Sequence, residues 1–243
     1  MKYIEIKKPN LDYYSAEACK SLRTNLQFCG SDKKAIVFTS CTQNEGKTYV
    51  ILNLAISLSE IGKKVLLLDA DLRKSALLGR VDVVASVKGM THFLSKQASL
   101  VDIICQTNVP NFYIAFAGPV PPNPSELLSD TYFDHMLAAL RESYDYILID
   151  SPPLGSVVDS AIIASKCDGS VIVIEEGWNS YRFEQDIKRQ LEKTGTPILG
   201  AILNKVDYSK SSHYGYYGKY GKYGKYGSKY YGEPYGKTDS SKK

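Results

Sequence analysis

No run of apolar residues in this 243-residue chain approaches the roughly 20 that a membrane-spanning helix needs. A helical span within these residues is therefore excluded, and any membrane association would come through a partner. The opening stretch MKYIEIKKPN has no apolar segment of the kind a secretory leader carries, so no leader is expected. The five cysteines (Cys19, Cys29, Cys41, Cys105, Cys167) are odd in number and show no CxxC pairing. That pattern excludes a disulfide framework and predicts reduced thiols in a cytosolic protein. His92, His135 and His213 have no metal-ligand spacing, and the single tryptophan, Trp178, reads as a packing residue. Cys41 reads as a small core-like residue.

The chain has little net charge except at one end. Residues 205–243 hold nine Lys against two Asp and one Glu, a net of +6, while the whole chain is +4. Residues 1–204 therefore carry −2, and a nucleic-acid-binding body is not expected. The same end is crowded with tyrosine. From Tyr214 to Tyr226 it reads YGYYGKYGKYGKY. Nine of the nineteen tyrosines fall in this region: Tyr214, Tyr216, Tyr217, Tyr220, Tyr223, Tyr226, Tyr230, Tyr231 and Tyr235. A segment of Tyr, Gly and Lys has almost no aliphatic side chains to offset its ordering entropy. Residues 208–243 are expected to be a disordered tail with hydroxyls in water.

Elsewhere short apolar runs alternate with helical periods. AIVFTS (Ala35–Ser40), VLLLD (Val65–Asp69), FYIAFAG (Phe112–Gly118), YILID (Tyr146–Asp150), SVIVIE (Ser170–Glu175) and ILGAILN (Ile198–Asn204) read as buried strands. Thr48–Ile61, Ser125–Arg141 and Phe183–Thr194 read as helices, the first ended by Gly62. Continuously apolar strands separated by helices predict an α/β fold, a mostly parallel sheet covered on both faces. Ligands then bind at the carboxyl ends of the strands. Residues 31–207 are assigned to this domain. Residues 1–30 are set apart as a helical segment, Ser15–Phe28, in which Glu17, Lys20 and Arg23 share a face. On its own that face reads as weak intrahelical ion pairs.

The loop after the first of these strands reads TSCTQNEGKTY, Thr39–Tyr49. Gly46-Lys47-Thr48 opening a helix after a buried strand is the end of a Walker A loop. Its amides cradle phosphates, the lysine reaches the β- and γ-phosphates and the threonine hydroxyl ligates Mg²⁺. Cys41 stands at the usual first glycine. Asn44 occupies a position where a left-handed backbone is convenient, which Asn tolerates. Asp69, Asp71 and Asp150 lie at strand ends. Three carboxylates there, beside a GKT loop, are what a magnesium–nucleotide site requires.

Together EGKT, LLLDADLRK and YDYILIDSPP resemble the Walker A, A′ and B segments of the bacterial tyrosine kinases. SAEACKSLRTNLQF, PPNPSELL, GAILNKVD and the tyrosine-rich end extend that resemblance over essentially the whole chain. It is nearest to the capsular and exopolysaccharide autokinases of Gram-positive type, P-loop proteins whose membrane activator is a separate polypeptide. The resemblance implies ATP and Mg²⁺ as cofactors, bound through Asn44, Glu45, Gly46, Lys47, Thr48, Tyr49 and the adenine-side Asn204. Thr48, Asp71 and Asp150 would surround the metal. Lys47, Asp69 and Asp71 would be catalytic, with Asp69 as general base toward a phenol whose free pKa is near 10.

The resemblance also implies that the tail tyrosines are acceptors, phosphorylated in trans within a homo-oligomer. Its partners would be a transmembrane polysaccharide co-polymerase and a cognate tyrosine phosphatase. The protein would be cytoplasmic and recruited to the inner face of the membrane, where it would regulate polysaccharide synthesis and export. Glu17, Lys20 and Arg23 would serve self-association, although Lys20 stands where the family has arginine. Three other readings stay open: a partitioning-type ATPase, a GTPase switch using Asn204-Lys205-Val206-Asp207 as NKxD, and a weakly active scaffold.

Overall fold

The computed structural model describes residues 2–81 and 87–207. In chain order the first elements are β1 (Lys2–Ile4), α1 (Tyr13–Phe28), β2 (Ala35–Ser40), α2 (Lys47–Glu60), β3 (Val65–Asp69), α3 (Met90–Leu94), α4 (Leu100–Ile103) and β4 (Ile104–Thr107). There follow β5 (Phe112–Ala115), α5 (Pro124–Ser129), α6 (Thr131–Ser143), β6 (Tyr146–Asp150), α7 (Asp159–Ala164), β7 (Gly169–Glu175), α8 (Tyr181–Glu192) and β8 (Ile198–Asn204).

Every residue of β2, β3 and β6 is buried, and alternate side chains serve opposite faces of the sheet. Ala35 and Val37 join one apolar cluster with Leu66, Leu68, Ile147 and Ile149, under Phe133, Met136 and Leu140 of α6 and Ile187 and Leu191 of α8. Ile36 and Phe38 join the other with Val65, Leu67 and Leu148, under Ile51, Leu54 and Leu58 of α2 and Leu26 of α1. Each large side chain so buried contributes about 1.5–3 kcal/mol. The burial explains why these strands read as unbroken apolar runs.

The eight strands follow the order β1-β4-β5-β3-β6-β2-β7-β8. All neighbours are parallel except β4 and β5. The mostly parallel, doubly covered sheet expected from the sequence is therefore present. β2, β3, β6 and β7 point the same way, so the loops after Ser40, Asp69, Asp150 and Glu175 gather at one end.

Several expectations are corrected in detail. β5 stops at Ala115 rather than Gly118, because the Phe116 and Ala117 carbonyls accept from the amides of Met90 and Thr91. The helix expected over 125–141 is two helices. Asp130 breaks it with an extended backbone (φ −62°, ψ 146°) and caps α6 by accepting from the Tyr132 amide, a common competition between Asp side chains and helix interior. Trp178 is not packed; it is 65% exposed. Cys41 is fully buried, and burial, with the charges of Glu45 and Glu184, pushes its thiol up to about 12.

The N-terminal segment is not set apart at residue 30: Met1–Lys205 form one compact unit. β1 pairs with β4, Ile4, Ile6 and Leu26 lie in the core, and Arg23 donates to the Ser57 carbonyl of α2 at 3.0 Å. The expected disordered tail, 208–243, lies outside the described residues, as do His213 and the nine clustered tyrosines.

Candidate active site

The β2–α2 loop carries two left-handed residues, Asn44 at φ 66° and Gly46 at φ 88°. Asn is among the few side chains that tolerate this region. Gly46 is required twice over, since a Cβ there would meet Asn204 Nδ2 at 2.2 Å. The turn leads into α2, a fourteen-residue helix whose N-terminus favours anions. Lys47 is its first residue. Its ammonium is buried and donates to Ser40 Oγ at 3.0 Å. Burial pulls the Lys47 pKa down, against the opposing pull of Asp150, Asp71 and Glu45. The ammonium thus lies within the field of three carboxylates, at the start of a helix that favours anions.

Thr48 Oγ1 donates to Asp150 Oδ2 at 2.5 Å, and both residues are buried. Asp69 and Asp150 are direct register partners on neighbouring strands. Two carboxylates at one level would repel if both were charged. Burial and Asp150 push the Asp69 carboxyl up to about 8, opposed by hydrogen bonds from Ser75 and the Asp71 amide. Ser75 Oγ donates to Asp69 Oδ2, and the Asp71 amide donates to Asp69 Oδ1 at 3.3 Å. Asp71 in turn accepts from the amides of Arg73 and Lys74, at 3.2 and 2.9 Å.

The structure therefore brings Lys47, Thr48, Asp69, Asp71 and Asp150 to one place. Among the described residues no three His, Cys, Asp or Glu side chains form a ready-made metal cage. That donor set fits Mg²⁺ held with a nucleotide, which takes one or two protein oxygens and fills the rest with phosphates and water. Thr48 and Asp150 are the hard-oxygen pair that would hold it.

Other expected site residues have a different place. Glu45 is fully buried with its carboxylate turned into the protein. It accepts from the Thr42 amide at 2.5 Å, the Thr42 hydroxyl at 3.0 Å and the Glu175 amide at 3.0 Å. Asn204 Nδ2 donates to the Glu45 carbonyl at 2.8 Å. Both side chains brace the loop from behind. Tyr49 is 39% exposed on α2. On α1, Glu17 and Lys20 pair with each other at 2.7 Å, both exposed, while Arg23 is committed to α2.

Residues that the sequence did not single out complete the frame. Lys205 Nζ donates to the Asn44 carbonyl at 2.8 Å and to Glu175 Oε2 at 2.7 Å. The Pro152 carbonyl accepts from Thr39 and Ser160, which ties the loop after Asp150 to β2. Only the NKxD tetrapeptide hinted at Lys205. Thr39 and Pro152 lie 113 residues apart, and neither that contact nor the one from Ser160 to Pro152 carries a local signal.

This bracing has a measurable consequence. Lys205→Met removes both bonds, the one that holds the carbonyl of left-handed Asn44 and the one to Glu175. A charge-assisted bond at a half-exposed site contributes about 1 kcal/mol. The variant is expected to bind Mg–ATP about fivefold more weakly by titration calorimetry, with its melting temperature nearly unchanged.

Residues 33–182 match the model of the AAA domain family. Over 209 residues the chain is 45% identical to the tyrosine-protein kinase CpsD of Streptococcus agalactiae, covering 86% of this chain and 89% of that protein. The fold superposes on the kinase domain of the Escherichia coli tyrosine kinase ETK with a TM-score of 0.76 at 28% identity, over 88% of this chain and 93% of that one. It also resembles the septum site-determining protein MinD of Pyrococcus horikoshii OT3, solved with Mg-ADP. There the TM-score is 0.60 at 30% identity, over 74% of this chain and 72% of that one. A glycine–lysine–threonine loop facing strand-end carboxylates, on a sheet shared with these kinases along nearly its whole length, places the chain in the bacterial tyrosine kinase family as a protein-tyrosine kinase.

Proposed function

We propose that the chain transfers the γ-phosphoryl group of Mg–ATP to the tyrosines of its own C-terminal cluster, in trans within an oligomer. The observation that supports this best is the division of labour among the three aspartates. Asp150 is joined to Thr48 as a metal pair, and Asp69 sits one strand away with a raised pKa. A magnesium ion held beside it would favour the charged form of Asp69, and a carboxylate there would take a phenol proton late in the reaction.

Bound magnesium would neutralise charge on the β- and γ-phosphates. Lys47 and the amides of residues 44–48 would hold the phosphates. Thr48 and Asp150, with Asp71 beside them, would hold the metal. Asp69 aligns the incoming hydroxyl and accepts its proton. A loose transition state needs chiefly this alignment and charge neutralisation.

The acceptors are Tyr214, Tyr216, Tyr217, Tyr220, Tyr223, Tyr226, Tyr230, Tyr231 and Tyr235. Each phosphotyrosine adds about −1.5 to −2, so three or four cancel the +6 of residues 205–243 and more reverse it. Such an arm would change from attracted to repelled by acidic surfaces. Glu17 and Lys20 on α1 would contribute to self-association. No described helix is long and apolar enough to cross a membrane, and a separate membrane co-polymerase would recruit the protein for polysaccharide synthesis and export. A tyrosine phosphatase would reset the cluster.

The deciding experiment mixes two chains with ATP and Mg²⁺: a full-length Lys47→Met chain and an otherwise intact chain lacking residues 208–243. Phosphotyrosine on the Lys47→Met chain, mapped by mass spectrometry to 214–235, is the expected result. No label on it, with the parent chain labelling itself, would replace transfer in trans by transfer in cis. No label in the parent would remove autophosphorylation altogether. GTP competing equally with ATP would favour the GTPase reading.

A further inference from the structure

Arg73 lies two residues past Asp71 on the loop after β3, and its guanidinium crosses to α7. Nε donates to Asp159 Oδ2 at 2.7 Å and Nη2 to Asp159 Oδ1 at 3.0 Å. Ser125 of α5 closes a triangle: it accepts from Arg73 Nη2 at 2.9 Å and donates to Asp159 Oδ1 at 2.7 Å. The Asp159 side chain is fully buried, while that of Arg73 is 40% exposed. Burial works to raise the Asp159 carboxyl, but Arg73 and Ser125 outweigh it and hold it below the usual carboxylate range. A two-pronged pair of this kind fixes orientation as well as distance.

The partners connect the two halves of the site. On one side a continuous run of bonds leads from Arg73 to the reacting carboxylates. Its amide donates to Asp71, and the Asp71 amide donates to Asp69. On the other side α7 follows Asp150 through a loop stapled to β2. Ser151 Oγ donates to the Phe38 carbonyl at 2.8 Å, and the Leu154 amide donates to the Ser40 carbonyl at 2.9 Å. Ser40 is also the partner of Lys47. The guanidinium therefore spans the gap between the end of β3, which carries Asp69 with Asp71 just beyond it, and the frame that carries Lys47 and Asp150. Small displacements of a reacting group are costly in rate, so a span of this kind matters to turnover more than to the fold.

We propose that Asp159, supported by Ser125, is a positioning residue for phosphoryl transfer: it grips Arg73 and so sets Asp69 and Asp71 against Lys47 and Asp150. This rests on the reading of Asp69 given above. Asp159 bonds to Arg73 and Ser125 rather than to the nucleotide-binding loop or the Thr48–Asp150 pair, so its loss acts on turnover far more than on nucleotide affinity.

The test uses the full chain and a synthetic Tyr-Gly-Lys repeat peptide as acceptor. Asp159→Asn and Arg73→Gln are each expected to lower kcat at least tenfold. The affinity for a non-hydrolysable ATP analogue should stay within twofold. The double variant should be no slower than the slower single, because both remove one device. Arg73→Lys, which keeps the charge without the fork, should recover only part of the rate. A folded Asp159→Asn chain with kcat within twofold of the parent would overturn the inference, as would losses that multiply in the double variant. If Asp159→Asn does not fold, Ser125→Ala keeps the ion pair and should lower kcat two- to threefold; an unchanged kcat there overturns the inference equally. Asp69→Asn separates the two readings. If it is inactive while Asp159→Asn is active, only this inference falls; if it is active, the reading of Asp69 falls and this inference with it.

Discussion

Lys47→Met is expected to lower phosphotyrosine formation at least 1,000-fold while leaving the protein folded. Lys47 is the first residue of α2, and its ammonium projects toward Ser40, Asp71 and Asp150, where the β- and γ-phosphates would lie. A preorganised cation aimed at developing charge in a water-poor site typically contributes several kcal/mol to the transition state, and about 4 kcal/mol corresponds to 1,000-fold. The fold has little reason to suffer. Burial already disfavours the charged lysine, as its lowered pKa shows, and methionine fills a similar volume. Initial rates of tail labelling, with a thermal melt of the same samples, check both halves. A Lys47→Met chain that labels itself within tenfold of the parent would remove Lys47 from the chemistry. An early melt would instead make it a structural residue.

How much of this could be read from residues alone depended on whether the determining contacts were local. β2, β3, β6 and β8 were delimited to the residue because each is an unbroken apolar run ending in a polar residue. β1 and β4 were missed for the opposite reason. Lys2–Ile4 is three residues with two exposed, and Ile104–Thr107 runs on directly from α4 with an exposed Gln106. Neither carries a strand period long enough to stand out. Lys47 and Thr48 were legible because the loop is a contiguous motif. Asp69, Asp71 and Asp150 were legible because a carboxylate at the end of a buried strand is costly without a cation. Asp159, Ser125 and Glu175 were not. Their meaning lies in partners on other elements, and nothing in SPPLGSVVDS indicates that its aspartate meets Arg73. The side-chain partners of Glu45 were hidden for the same reason: the motif places it in the loop, but only the fold shows its carboxylate accepting from the Glu175 amide of β7.

Asp69→Asn carries the second large effect, and its two consequences have opposite signs. As general base toward a tyrosine hydroxyl, Asp69 accounts for roughly 10²- to 10⁴-fold, so labelling is expected to fall at least 100-fold. Stability without nucleotide or magnesium should rise. The carboxyl is fully buried beside Asp150, and its pKa is pushed up from 3.8 to about 8. Below about pH 4 it is protonated in both the folded and the unfolded chain. Between there and about pH 8 the folded chain keeps a proton that the unfolded chain gives up, so the stability owed to this residue falls as pH rises. The amide variant has no proton to hold, and it can still accept from Ser75. Its advantage should therefore be about 1–3 kcal/mol near pH 7.5 and vanish toward pH 4. Urea titrations in a chelating buffer at the two pH values measure it. A variant less stable at pH 7.5, or a gap that widens on acidification, would show that Asp69 is held charged by contacts other than those described. A more stable but inactive variant would mean that the family's acceptor chemistry is maintained here against the preference of the fold.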